Sequence, residues 1–160
     1  VALLLTEADV TQLLRMEDAI AAVEDAFAAQ GRGTAMNRPR NRMQVAGVTL
    51  HVMSAALPTA GVIGLKAYAT GGGGARFVVL AWSTTTGVLE AVIEADRLGQ
   101  VRTGAASGVA TKHMARPDAC TVGCIGTGWQ AESQIEAVCA VRPVARVLVF
   151  GRGARRRQTF

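Results

Sequence analysis

The sequence predicts an α/β chain in two parts. An α+β domain spans residues 1–117, and residues 118–160 open a second, parallel α/β domain that the chain leaves incomplete. Three observations carry this reading. Apolar residues recur at helical spacing near the N terminus. Short β-type runs alternate with Gly and Pro turns from Met43 to Glu94. Finally, Cys120 to Phe150 reads as strand, glycine turn, helix, strand.

Thr6-Glu7-Ala8-Asp9 offers capping groups ahead of Val10, Leu13 and Leu14, so the chain is expected to open in a helix. A second helix is expected from Met16 or Glu17 to about Gln30. Ile20, Val23 and Phe27 recur at three and four residues, while Glu17, Asp18, Glu24 and Asp25 lie largely off that stripe. Gly31-Arg32-Gly33 ends it. The expected strands are Thr49–Met53, Val62–Ala69, Arg76–Ser83 and Val88–Ile93, set off by Gly47, Pro58–Gly61, Gly71–Gly74 and Thr86-Gly87. Spacings this short suit antiparallel hairpins. Ala95–Ala115 is Ala-rich and reads as helix, and Arg116-Pro117-Asp118 breaks it, which puts the domain boundary near Arg116–Ala119. Cys120–Ile125 is an apolar strand, Ser133–Val141 continues as helix, and Arg146–Phe150 is a second apolar strand.

The 160 residues carry 17 Lys and Arg against 12 Asp and Glu, a formal +5. Arg152, Arg155, Arg156 and Arg157 hold four of these charges, with no interleaved aromatics and no zinc-finger or ribonucleoprotein motif, which argues against nucleic-acid binding. No apolar run reaches the ~18–20 residues of a bilayer crossing, so no membrane span is expected. Val1–Leu5 lacks a preceding basic stretch and a following cleavage pattern, so no secretory signal is expected. Cys120, Cys124 and Cys139 form no C-x-x-C pair and have no histidine at ligand spacing. They are expected to be reduced, metal-free and cytoplasmic, with Cys120 and Cys124 buried on one strand face.

The strongest local signal is Gly126-x-Gly128-x-x-Ala131 between a strand and a helix. Gly126 allows the tight turn, Gly128 lets a pyrophosphate approach the helix N–H groups, and Ala131 permits close helix packing. The alternative is a plain turn. After the second strand an NAD site would place an acidic residue, whereas this chain has Gly151-Arg152 and no Asp or Glu from Val147 to Phe160. A cation there suits a 2′-phosphate, so NADP(H) is the expected cofactor and NAD(H) the alternative. Otherwise the arginines form a solvated patch. Lys66 sits within an apolar strand, where a cation is costly unless paired. Arg40, Lys66 and Arg102, taken singly, also read as surface or structural charges.

In order, the chain carries Pro39-Arg40, Gly64-Leu65-Lys66, Thr86-Gly87-Val88-Leu89-Glu90-Ala91, Arg102-Thr103-Gly104-Ala105-Ala106-Ser107 and the glycine turn. This resembles the ornithine cyclodeaminase and mu-crystallin family, from the first helix to Arg152. The resemblance implies a substrate and dimerisation domain joined to a Rossmann domain, a homodimer, and NAD(P)-dependent hydride chemistry on amino acids, imino acids or cyclic ketimines. By position, Arg40, Lys66 and Arg102 would bind the substrate carboxylate. Gly126, Thr127, Gly128, Trp129 and Gln130 would line the pyrophosphate, with Gly151 and Arg152 near the adenine ribose and Arg102 also at the cofactor.

The chain departs from the family at two places. His51 stands where the cyclodeaminases carry a glutamate, two residues before Met53. That favours imine reduction or amino-acid dehydrogenation over deaminating cyclisation of ornithine, and leaves His51 either a proton-transfer group or a structural one. The family's catalytic aspartate falls beyond Phe160, so residues 1–160 read as the N-terminal half of such an enzyme and are expected to be inactive alone. Ornithine cyclodeaminase proper, with deaminating cyclisation to proline, and a non-catalytic NADP-binding mu-crystallin-like protein are the alternative readings.

Overall fold

A computed structural model describes all residues, Val1–Phe160. The chain divides into two compact units: Val1–Leu13 with Asp25–Gly99, and Leu14–Glu24 with Gln100–Phe160. The boundary expected at residues 116–119 lies within the second of these, at the turn between a helix and a strand.

The first unit is built on a seven-stranded sheet: β1 Leu3–Leu5, β2 Met36–Asn37, β3 Asn41–Val45, β4 Val48–Leu57, β5 Val62–Thr70, β6 Phe77–Ser83 and β7 Leu89–Glu94. The sheet order is β1-β7-β6-β5-β4-β2, and β3 also pairs with β4. The β3–β4, β4–β5, β5–β6 and β6–β7 pairs are antiparallel, as the short connections imply. All four strands expected from the sequence are present, and β4 runs on to Leu57, where Pro58 stops it.

Three strands were not foreseen. β1 pairs parallel with β7, a partner far along the chain. β2 has two residues, and β3 (Asn-Arg-Met-Gln-Val) is too polar to stand out. The β3–β4 hairpin turns at Ala46 (φ 49) and Gly47 (φ 82). Two successive left-handed residues match the twist of a tight hairpin, but Ala is an uncommon occupant of the first place.

Residues opposite one another in register share a face of the sheet. One face carries Arg42, His51, Tyr68 and Phe77 in one row and Met53, Lys66 and Val79 in the next. The other is apolar, with Met36, Met43, Val45, Val48, Leu50 and Ile63 exposed on it.

α1 (Glu7–Leu13) starts with a reciprocal cap. The Thr6 N–H donates to Asp9 Oδ2 at 2.9 Å, and the Asp9 N–H donates to Thr6 Oγ1 at 3.3 Å. α2 (Met16–Gly31) and α3 (Asp96–Met114) match their sequence expectations closely. The start of α3 is capped from a distant element. Glu7 accepts from the Asp96 and Arg97 N–H groups at 2.6 and 2.9 Å, placing negative charge at a helix N terminus.

In the second unit, β8 (Thr121–Ile125) and β9 (Arg146–Phe150) form a two-stranded parallel sheet joined by α4 (Trp129–Val141), and α5 (Ala154–Thr159) follows. The core is Met16, Ala19 and Ile20 from α2, Val101, Ala105 and Val109 from α3, and Ala137 from α4. α3 comes close enough to α4 that a Cβ on Gly104 would lie 2.2 Å from the Ser133 carbonyl oxygen. Arg142 closes the C-terminal end of α3 by donating to the Lys112, Ala115 and Arg116 carbonyls. Cys120 corrects an expectation. It precedes β8 and is exposed, whereas Cys124 is half-buried; none of the three cysteines is bridged. No helix is long and apolar enough to cross a membrane.

Candidate functional site

The glycine turn is the candidate site of the second unit. Gly126 has φ 110, a conformation closed to side chains with a Cβ, and its N–H donates to the Phe150 carbonyl at 2.7 Å. That bond ties the turn to the end of β9. Gly128 caps α4 with extended backbone and no side-chain hydrogen bond, and a Cβ built on it would meet nothing within 4 Å. The N terminus of a 13-residue helix therefore opens beside vacant space, with Trp129 and Gln130 as its first two residues. This geometry fits a pyrophosphate received on backbone N–H groups. A cleft of about 470 Å³ runs from Gly126 and Gly128 along β8 and α4, past Ile125, Gln134 and Val138.

The end of β9 adjoins this turn. A Cβ on Gly151 would lie 3.4 Å from both Thr127 Oγ1 and Cγ2, so position 151 adjoins the turn. The Arg157 guanidinium donates to the Gly151 carbonyl. Arg152 follows directly and is exposed, as are Arg155, Arg156 and Arg157 on α5.

A separate group of candidate residues lies in the first unit. Arg40 Nε is 3.5 Å from Met53 Sδ, and Met53 pairs with Lys66 across β4 and β5. Arg40 and Lys66 thus flank one methionine. Lys66 Nζ lies 5.7 Å from the Tyr68 ring centre and 5.4 Å from that of Phe77, so aromatic faces help hold the cation. Arg102 is exposed on α3, two residues past the fully buried Gln100.

His51 stands one row from Met53. Its ring stacks on Tyr68 at 4.5 Å and its Nε2 lies 3.1 Å from Thr70 Oγ1. Nδ1 is buried without a partner. Burial first, then the charges of Arg40 and Arg42, lower its pKa below 6.5, so the neutral ring is favoured.

A profile of the Ornithine cyclodeaminase/mu-crystallin family matches residues 1–160. The chain belongs to this family. It is 33% identical over 155 residues to the alanine dehydrogenase of Archaeoglobus fulgidus, covering 92% of this chain and 48% of that protein. Among solved structures it resembles the Thermococcus litoralis Delta(1)-pyrroline-2-carboxylate reductase in complex with NADH and L-proline. The TM-score is 0.88 with 31% identity, over 98% of this chain and 51% of that one. An archaeal alanine dehydrogenase dimer with bound NAD gives a TM-score of 0.91 and 31% identity, over 99% and 51% of the two chains. The chain spans about half the length of these relatives.

Family membership fits the α/β class read from the sequence. The ornithine cyclodeaminase/mu-crystallin motifs drew attention to Arg40, Lys66, Arg102 and the glycine turn. They passed over Gln100, which donates to the first residue of α4, and Glu7, which caps the start of α3. A row of Gln100, Gly104 and Gly108 at four-residue spacing was the available signal for Gln100. Glu7 had none, because its contacts are some 90 residues away.

Proposed function

We propose that this chain carries the substrate-binding part and the start of the cofactor-binding part, residues 118–160, of an NADP(H)-dependent oxidoreductase. Its reaction moves hydride between the nicotinamide and a small imino acid, cyclic ketimine or amino acid. The observation that carries the reading is the open helix N terminus at Gly128, set between the parallel strands β8 and β9.

Gly126, Thr127, Gly128, Trp129 and Gln130 receive the pyrophosphate, and Gly151 and Arg152 face the adenine ribose. Arg40 and Lys66, drawn together around Met53, hold the substrate carboxylate by charge-assisted hydrogen bonds. Arg102 is assigned to the substrate carboxylate and the cofactor by the family motif at residues 102–107. The bound cofactor supplies the hydride. The protein's own work is to fix the carboxylate so that the reacting carbon meets the nicotinamide. Solved relatives with NADH or NAD bound support a nicotinamide dinucleotide as the ligand class.

The finer preference for NADP(H) rests on Gly151 and Arg152, which place a cation and no carboxylate after β9. In the full-length gene product NADPH should bind at least about tenfold more tightly than NADH, a difference of about 1.4 kcal/mol. Titrating both cofactors checks this, and tighter NADH binding would contradict it.

His51 supports a reductase or dehydrogenase over a deaminating cyclase, because a neutral ring replaces a carboxylate. With Nε2 at Thr70 and Nδ1 enclosed, its better-supported role is structural. The exposed apolar sheet face, with Met43, Val45 and Leu50, is the surface on which a second copy packs. A sedimentation mass of one chain would rule that out. Three unbridged cysteines support a reducing, cytoplasmic setting.

A further inference from the structure

We propose that Gln100 is a positioning residue for the dinucleotide: it holds the first turn of α4 in the attitude that receives a pyrophosphate. The inference rests on the dinucleotide reading above and adds a residue outside the glycine motif. Gln100 is 0% exposed, in an Ala-rich helix whose other buried residues are small or apolar. A buried amide is costly unless its hydrogen-bonding groups are used. Its Nε2 donates to the carbonyl of Trp129, the first residue of α4.

That bond heads an ordered series. Gln100 meets Trp129, Gly104 meets Ser133, and Gly108 meets Ala137, each step advancing four residues along both helices. The glycine contacts set how closely α3 and α4 approach. They are steric, whereas a hydrogen bond is directional and constrains the rotation of the first turn of α4 as well. Ser133, also fully buried, donates its hydroxyl to the Gln130 carbonyl at 3.1 Å. Two consecutive carbonyls, those of Trp129 and Gln130, are thus held by buried side chains, and the N–H groups at this helix end are oriented with them. The same helix α3 carries Arg102, two residues on from Gln100.

The test is cofactor titration of the full-length protein with Gln100→Met, which keeps the length and removes the donor, and Gln100→Asn, which keeps the amide and shortens its reach. Each is paired with a thermal midpoint as a folding check. In the folded variants the NADPH Kd should rise about tenfold or more. At saturating NADPH, kcat and the imino-acid KM should return to the unsubstituted values. Tryptophan emission of the cofactor-free protein should shift in a Trp82→Phe background, where Trp129 is the tryptophan left among residues 1–160. Unchanged affinity in a folded variant would overturn the proposal, as would a loss of kcat that persists at saturation. If both variants fail to fold, the role is structural and the proposal is likewise overturned. Failure of the unsubstituted protein to bind NADPH or NADH would instead remove the dinucleotide reading itself.

Discussion

Gly104→Ala is expected to lower the thermal midpoint by about 4–8 °C. An alanine Cβ there would lie 2.2 Å from the Ser133 carbonyl oxygen and 2.9 Å from Ser133 Cβ, so the backbones of α3 and α4 must separate. Overpacking of this type costs about 3 kcal/mol at the upper end of its usual range. Replacing a helical glycine by alanine returns about 1 kcal/mol through backbone entropy, which leaves a net loss of about 2 kcal/mol. The internal control is Gly99→Ala in the same helix, where a Cβ meets nothing within 4 Å. That variant should gain stability, by about 0.5–1 kcal/mol. Thermal melts of the two proteins side by side check the pair, and a stabilised Gly104→Ala would mean that the helices do not meet at this glycine.

Lys66→Met is expected to reduce kcat/KM for an imino acid by about 30- to 150-fold, the effect of losing about 2–3 kcal/mol from a hydrogen bond to a charged group. Methionine keeps the length of the stem and its contact with the Tyr68 and Phe77 rings, so the sheet row survives. The affinity for NADPH should be unchanged, since the glycine turn belongs to the other compact unit. Steady-state kinetics with a parallel cofactor titration distinguishes the two effects. Equal kcat/KM in the variant would remove Lys66 from the carboxylate site.

Elements with strong local patterns were legible in the sequence. The stripe of Ile20, Val23 and Phe27 marked α2, the Ala-rich run marked α3, and Arg146–Phe150 coincides with β9. The glycine turn was legible because its chemistry is local: the positive φ of Gly126 calls for a glycine, and Gly128 leaves the start of α4 open. What escaped depends on distant partners. β1 is three apolar residues whose register with Ala91–Ile93 no local pattern encodes. β3 is polar, and its turn uses Ala46 where Asn or Gly would have signalled a hairpin. The cap that Glu7 provides for α3 and the hold of Gln100 on Trp129 likewise appear only once the chain is folded. Cys120 was misjudged because a strand pattern was extended one residue too far.

The two groups of candidate residues therefore came from different kinds of information. Spacing and glycine chemistry carry the proposed pyrophosphate site. The family motifs, followed by the pairing of Met53 with Lys66 and the approach of Arg40 to Met53, brought Arg40 and Lys66 together. The proposed preference for a reductase over a deaminating cyclase rests on His51, which lies one row from Met53 with its Nδ1 enclosed.

The most direct test of the account is the oxidation of NADPH by the full-length gene product in the presence of Δ1-pyrroline-2-carboxylate, followed by the loss of nicotinamide absorbance. Substrate-dependent oxidation, with proline as the product, is the predicted result. Tight NADPH binding without turnover on this or any other small imino acid would contradict it and leave a binding protein in its place.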